Sequence, residues 1–311
     1  MMIRQKLLFL SLLLLSITFF TACQKETPGC TDPNADNYDP NATENNGTCV
    51  FGPKLRFKFK FDPNQERLGN FGEPADIPAG HAAQTPNFNL MGAHYVELAK
   101  TANITAYSGT QIYESPVTND GGSEAIDFDE ALYGADGEVF LEVPLHSVPV
   151  GTYEYLRVSL SYQNYSIAFR EAGLDLTGTI ASFVGANTYI RSYSVDQQSI
   201  TVNDNRLQGY WAFETDFPGV PLIEGQAPEG ATTVPNPIHA LSPIPPGSCL
   251  VTGQFPAALE ITGNETDDLV ITVSVSINNS FEWVDTNNNG TYEPSEDEVV
   301  DMGVRGLIPS Y

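Results

Sequence analysis

Basic side chains are scarce in this sequence. There are 14 Lys and Arg against 39 Asp and Glu, a net charge of −25, and a chain this acidic has no basic face to offer nucleic acid phosphates. Cysteine is also sparse, at 4 in 311 residues, so the chain as a whole is not a disulfide scaffold. No apolar run reaches membrane-spanning length: the longest, residues 7–20, covers about 21 Å of helix against a hydrocarbon core of about 30 Å. No 15-residue window has a 3.6-residue apolar period, which excludes a helical bundle. The nucleophile elbow G-x-S-x-G, the zinc motif H-E-x-x-H, the dinucleotide loop G-x-G-x-x-G, the P-loop and C-x-x-C are all missing, so no motif calls for an enzyme.

What is present begins with an export signal. Arg4 and Lys6 precede the short apolar run, the layout of a signal peptide rather than of a membrane anchor. The run ends in Phe20-Thr21-Ala22-Cys23, which resembles the bacterial lipobox, although Phe20 stands where Leu is usual. The resemblance implies cleavage after residue 22 and lipid on Cys23, the chain's link to the membrane. Gln24-Lys25-Glu26 is similar to the short polar signal carried by surface lipoproteins of the Bacteroidota, which implies an outer-membrane, cell-surface location.

Export puts the remaining cysteines in an oxidising compartment. Cys30 and Cys49 bracket a segment rich in Asp, Asn, Pro and Gly that is too polar to bury a core, so a staple is expected there; a bridge closing about 20 residues contributes on the order of 3 kcal/mol. The segment resembles the C-T-D-x-x-A-x-N-Y-x-P-x-A repeat of secreted Bacteroidota proteins through Cys30, Thr31, Asp32, Ala35, Asn37, Tyr38, Pro40 and Ala42. Two readings stay open: a stapled spacer, or a calcium site built on Asp32, Asn34, Asp36 and Asp39. Cys249 is left over and reads as a buried thiol.

Residues 54–311 read as one all-β domain, an antiparallel β-sandwich, after a signal peptide at 1–22 and a lipidated, disulfide-stapled tether at 23–53. In residues 55–62, Leu55, Phe57, Phe59 and Phe61 alternate with Arg56, Lys58, Lys60 and Asp62, the period of a half-buried strand. Similar runs are expected at 139–143, 153–169, 188–195, 199–202, 209–215 and 269–277, separated by turn residues. Residues 88–99 also look more like a strand than a helix. Residues 218–246 form a Pro/Gly-rich excursion.

Residues 207–311 hold a single basic side chain, Arg305, against fifteen acidic ones. Within them Asp285, Asn287, Asn289, Gly290, Thr291, Glu293 and Glu296 match D-x-[DN]-x-[DN]-G-x5-E at every specified position. That spacing brings hard oxygen ligands onto one cation. Gly290 permits the turn, Thr291 offers its carbonyl, and Glu296 closes the sphere with both oxygens. The loop resembles an EF-hand calcium loop, entered here from a strand instead of a helix.

A fainter likeness to MbnP-like domains rests on residues 55–62, on Met91-Gly92-Ala93-His94 and on Pro149-Val150-Gly151-Thr152-Tyr153. It implies copper, with His94, Met91 and His81 as ligands. Tyr210-Trp211 and Tyr162/Tyr165 are candidates for a stacking platform facing a glycan or peptide. Acidic pairs such as Asp267/Asp268 and Asp127/Asp129 would serve an exported hydrolase. The leading expectation is a lipid-anchored, calcium-stabilised binding or structural module, with its glycan, peptide or surface-protein partner unspecified by the sequence.

Overall fold

The computed structural model describes residues 26–69, 71–185, 187–228 and 250–311. The export signal, Cys23, His239, Cys249 and most of the 218–246 excursion lie outside the described residues. The chain divides into two compact units, one ending at Phe51 and the other starting at Gly52.

The first unit is held by a covalent bond and local hydrogen bonds. Its strands are β1 Pro28–Gly29 and β2 Glu44–Asn45, paired in parallel. Cys30 and Cys49 form a disulfide with Cα atoms 4.9 Å apart. Cys30 and Ala35 are the buried apolar residues of this unit among those described, so almost no hydrophobic burial supports it. Asn37 replaces a missing ladder: its Nδ2 donates to the Thr48 carbonyl at 2.7 Å and its Oδ1 accepts from Val50 N at 2.8 Å.

The second unit is all-β. Its first strands are β3 Lys54–Asp62, β4 His81–Gln84, β5 Asn87–Ala99, β6 Thr110–Glu114 and β7 Val117–Thr118. The next are β8 Ala125–Asp127, β9 Leu132–Gly134, β10 Val139–Pro144, β11 Gly151–Glu171, β12 Leu174–Phe183, β13 Thr188–Ser194 and β14 Ser199–Arg206. The last are β15 Tyr210–Thr215, β16 Ile223–Gln226, β17 Leu250–Ile261, β18 Leu269–Ser276, β19 Phe281–Val284, β20 Glu298–Met302 and β21 Leu307–Ser310.

Two principal sheets share one core. The smaller runs β10-β3-β18-β21; the larger runs β16-β15-β12-β11-β5-β6, with β17 added beside β11 and β9 beside β5. Leu55, Phe57 and Phe59 of β3 and Ile271, Val273 and Val275 of β18 are fully buried. They join Met91, Val96, Leu98, Leu156, Val158 and Leu160 of the larger sheet in one apolar cluster. The opposite face of β3 is polar: Arg56 meets Glu142 at 2.5 Å and Asp268 at 2.9 Å.

The ladders are antiparallel except for two in this unit, where β3 runs parallel to β18 from Leu55↔Leu269 to Asp62↔Ser276, and β8 runs parallel to β13. A parallel pair needs a long crossover rather than a hairpin, and roughly 200 residues separate β3 from β18. Smaller sheets, β14-β13-β8-β7 and β20-β19-β4, complete the unit.

β17 is a strand that alternation does not reveal. Gly253 interrupts its apolar pattern because β21 crosses close by: a Cβ at Gly253 would stand 2.3 Å from Leu307 Cδ2 and 2.6 Å from the Leu307 carbonyl.

A buried ion pair ties the larger sheet to a loop. Arg157 of β11 and Glu97 of β5 are direct cross-strand partners with a 2.8 Å contact, and both are almost wholly buried. Arg157 also donates to the carbonyls of Ile104 and Thr105, while Glu97 accepts from Tyr95 Oη and Gly109 N. Every oxygen is thus matched to a donor, the condition under which a buried pair is tolerated.

Glu97→Ala leaves the guanidinium uncompensated inside the sheet and is expected to cost about 3–5 kcal/mol in urea unfolding. Asp175→Ala removes an exposed pair with Arg170 and is expected to cost at most about 1 kcal/mol. Equal losses for the two variants would contradict this assignment.

Candidate metal centre

The 285–296 loop grows from a buried hairpin. β19 pairs with β20 on one edge and β4 on the other, and Phe281, Glu282 and Trp283 are all buried. Asp285 follows at once. Its backbone N–H donates to the Gly80 carbonyl at 2.9 Å, and its side chain is buried at the sheet's end.

From that anchor the chain folds back on the Asp285 carboxylate. Oδ1 accepts from Asn289 N at 3.0 Å and Oδ2 from Gly290 N at 2.8 Å. The turn takes Asn288 to φ 56° and Gly290 to φ 72°, left-handed values that Asn and Gly adopt most readily. Asn287 Oδ1 accepts from Asn289 N at 3.1 Å, and Asn289 Oδ1 from Thr291 N at 2.7 Å. The amide nitrogens of Asn287 and Asn289 both donate to Glu293 Oε2 at 2.7 Å, and Asn287 reaches Glu296 Oε2 at 3.1 Å. The side chains of Asn287, Asn289, Glu293 and Glu296 are therefore joined in one hydrogen-bonded cluster, with the Asp285 carboxylate tied in through the backbone N–H groups of Asn289 and Gly290, and Thr291 through its own N–H.

Two residues outside the predicted set hold the loop. Asp297 accepts from Thr286 N at 3.0 Å and from Glu293 N at 2.9 Å, closing the loop's two ends together. Tyr292 turns inward onto Phe281 and Trp283, with ring centroids 5.1 and 5.6 Å away. Burial, with Asp297 nearby, pushes its phenol up to about 12. The only sequence trace of either is an acidic residue directly after position 12 and an aromatic one at position 8.

The loop is acidic. Asp285, Glu293 and Glu296 are carboxylates, and Arg305, the one basic residue of 207–311, is paired with Asp301. Among the described residues no group of three or more His, Cys, Asp or Glu side chains is arranged to hold a metal by itself. The loop instead depends on Asn for two of its positions. An amide offers oxygen or nitrogen according to a half-turn about its last bond.

The other predicted residues are dispersed. His81 lies in β4, its Nδ1 2.6 Å from Glu282, which also pairs with Arg67. Met91 is sealed in the apolar core. His94 lies in β5, where burial, opposed by a hydrogen bond to the Leu160 backbone, pushes its imidazole down to about 4. His81 is thus in a different sheet from Met91 and His94, which share β5, with Met91 sealed in the apolar core. Asp127 and Asp129 both contact Arg191, at 2.8 and 3.0 Å, and Asp268 contacts Arg56. In the first unit Asp32 and Asp39 turn onto Asn34 and Asn41 of their own loops. Tyr162, Tyr165 and Tyr210 are core residues, whereas Trp211 is half-buried.

Asp297→Ala removes two backbone acceptor contacts and is expected to lower stability by about 1–2 kcal/mol in chelator and in calcium alike. Thermal melts in the two buffers check this; a loss seen only in calcium would make Asp297 a ligand instead of a clasp. No protein-family model, curated protein or solved structure matches this chain.

Proposed function

We propose that this chain is an exported, lipid-anchored, calcium-stabilised β-sandwich that acts as a binding or structural module of the cell envelope. The observation that carries the calcium reading is the single cluster formed by Asp285, Asn287, Asn289, Glu293 and Glu296. A calcium ion entering it would displace the Asn N–H donors from Glu293 and Glu296, with both amides turning to present oxygen. The backbone donors on Asp285 would remain, while the Asn289 and Thr291 N–H groups would give up the amide oxygens they now meet. With three anionic ligands and two neutral amides, affinity is expected in the ~10⁻⁴–10⁻³ M range of extracellular modules.

Envelope placement is supported by the charged, apolar and small-residue order of residues 4–23 and by the Cys30–Cys49 bridge, which suits an oxidising compartment. Lipid on Cys23 would be the anchor, and the first unit would be a stapled spacer.

Calcium at 100-fold excess over its dissociation constant stabilises the folded state by about 2.7 kcal/mol. Wild type is therefore expected to melt several degrees higher in calcium than in chelator, and Asp285→Ala or Glu296→Gln to abolish the difference. Identical melts for wild type in the two buffers would reduce the loop to a hairpin. For the anchor, Cys23→Ser is expected to move the protein out of the membrane fraction; retention there would refute lipidation at Cys23.

A further inference from the structure

A cleft of about 430 Å³ opens between the β12–β15–β16 side of the larger sheet and the β19–β20 hairpin with its loop. That volume falls within the usual range for small-molecule sites. Its floor is aromatic and flat. Register aligns Ser182, Trp211 and Gly225 across three strands, and a Cβ at Gly225 would stand 2.3 Å from Trp211 Cζ2, so the indole lies across that glycine. One row along, Phe213 lies over Gly178 in the same way, its ring 2.2 Å from where a Cβ would be. The two glycines thus let two rings rest against the sheet, and Phe281, Tyr292 and Met302 line the other wall.

At one end sits Gln163, cross-strand partner of Ser182. The residue is only 2% exposed, yet Oε1 has no hydrogen-bond partner among the described residues. An unmatched buried acceptor costs about 1–3 kcal/mol, and a ligand that brings a donor recovers it. No Lys, Arg or His is among the described lining residues, and the Asp301 carboxylate is, so an anion is disfavoured.

We infer that the cleft binds a neutral, ring-bearing, largely apolar small molecule that stacks on Trp211 and Phe213 and donates one hydrogen bond to Gln163. Tyr292 and Pro294 of the 285–296 loop line this cleft, so binding is measured both in calcium and in chelator; the assignment does not rest on the calcium reading, and failure of the calcium site leaves this one testable.

The probes are 2-naphthol, its methyl ether 2-methoxynaphthalene, and anionic 2-naphthoate, titrated into the detergent-free purified chain and followed by ligand-observed NMR. The expected result is saturable one-to-one binding of 2-naphthol, about tenfold tighter than the ether, which lacks the donor, with the weakest binding by 2-naphthoate. Gln163→Leu should erase the preference for naphthol over its ether. Trp211→Ala should weaken both neutral probes about tenfold; Phe213→Leu replaces it if the alanine variant does not fold by circular dichroism. Absence of saturable 2-naphthol binding, or binding unchanged by both the Gln163 and floor substitutions, would overturn the assignment.

Discussion

The second unit depends on the ladder made by β11. One edge of this strand takes the whole span of β5, from Tyr155↔Ala99 to Ser166↔Asn87. The other edge is divided, with β17 on Gly151–Ser159 and β12 on Gln163–Glu171. Two different strands therefore continue the same sheet from one edge. The β17 half stays over the shared core, and the β12–β15–β16 half supplies one wall of the cleft faced by the β19–β20 hairpin. Arg157 and Glu97 meet on the undivided edge, so the strand that organises the sheet also carries its most deeply buried charges.

Cations are so few that their placement shapes the surface. Arg56 bridges Glu142 and Asp268, Arg67 holds Glu282, Arg191 gathers Asp120, Asp127 and Asp129, and Arg305 holds Asp301. These pairings occupy carboxylates that in sequence resemble catalytic or metal-binding couples. The carboxylates of Asp285, Glu293 and Glu296 instead accept from backbone N–H groups and Asn amides. Neutral donors partly balance them, and a divalent cation would balance them more fully.

How much was legible in the sequence follows the range of each interaction. The alternation of Leu55, Phe57, Phe59 and Phe61 and of Ile271, Val273 and Val275 identified β3 and β18 because a half-buried strand writes period two directly into its residues. Their parallel pairing was not legible, since nothing local records which strand lies alongside. β17 escaped because Gly253 answers to Leu307, a residue 54 positions away. The motif at 285–296 could be read because its positions fall within twelve consecutive residues, whereas the Gly80 carbonyl that fixes Asp285 comes from the turn before β4. Tyr210 and Trp211, adjacent in sequence, are parted by that same strand alternation: one enters the core and the other floors the cleft.

In the proposed function the C-terminal hairpin closes around a calcium ion. Hydrogen exchange resolved to single amides tests it most directly, because Asn289 and Gly290 donate to Asp285 and report whether the loop is closed. Millimolar calcium is expected to slow exchange at these two amides and through β19 and β20, while β3, β5 and β11 exchange as they do in chelator. Unchanged exchange at Asn289 and Gly290, or a slowing no greater there than in β11, would contradict it.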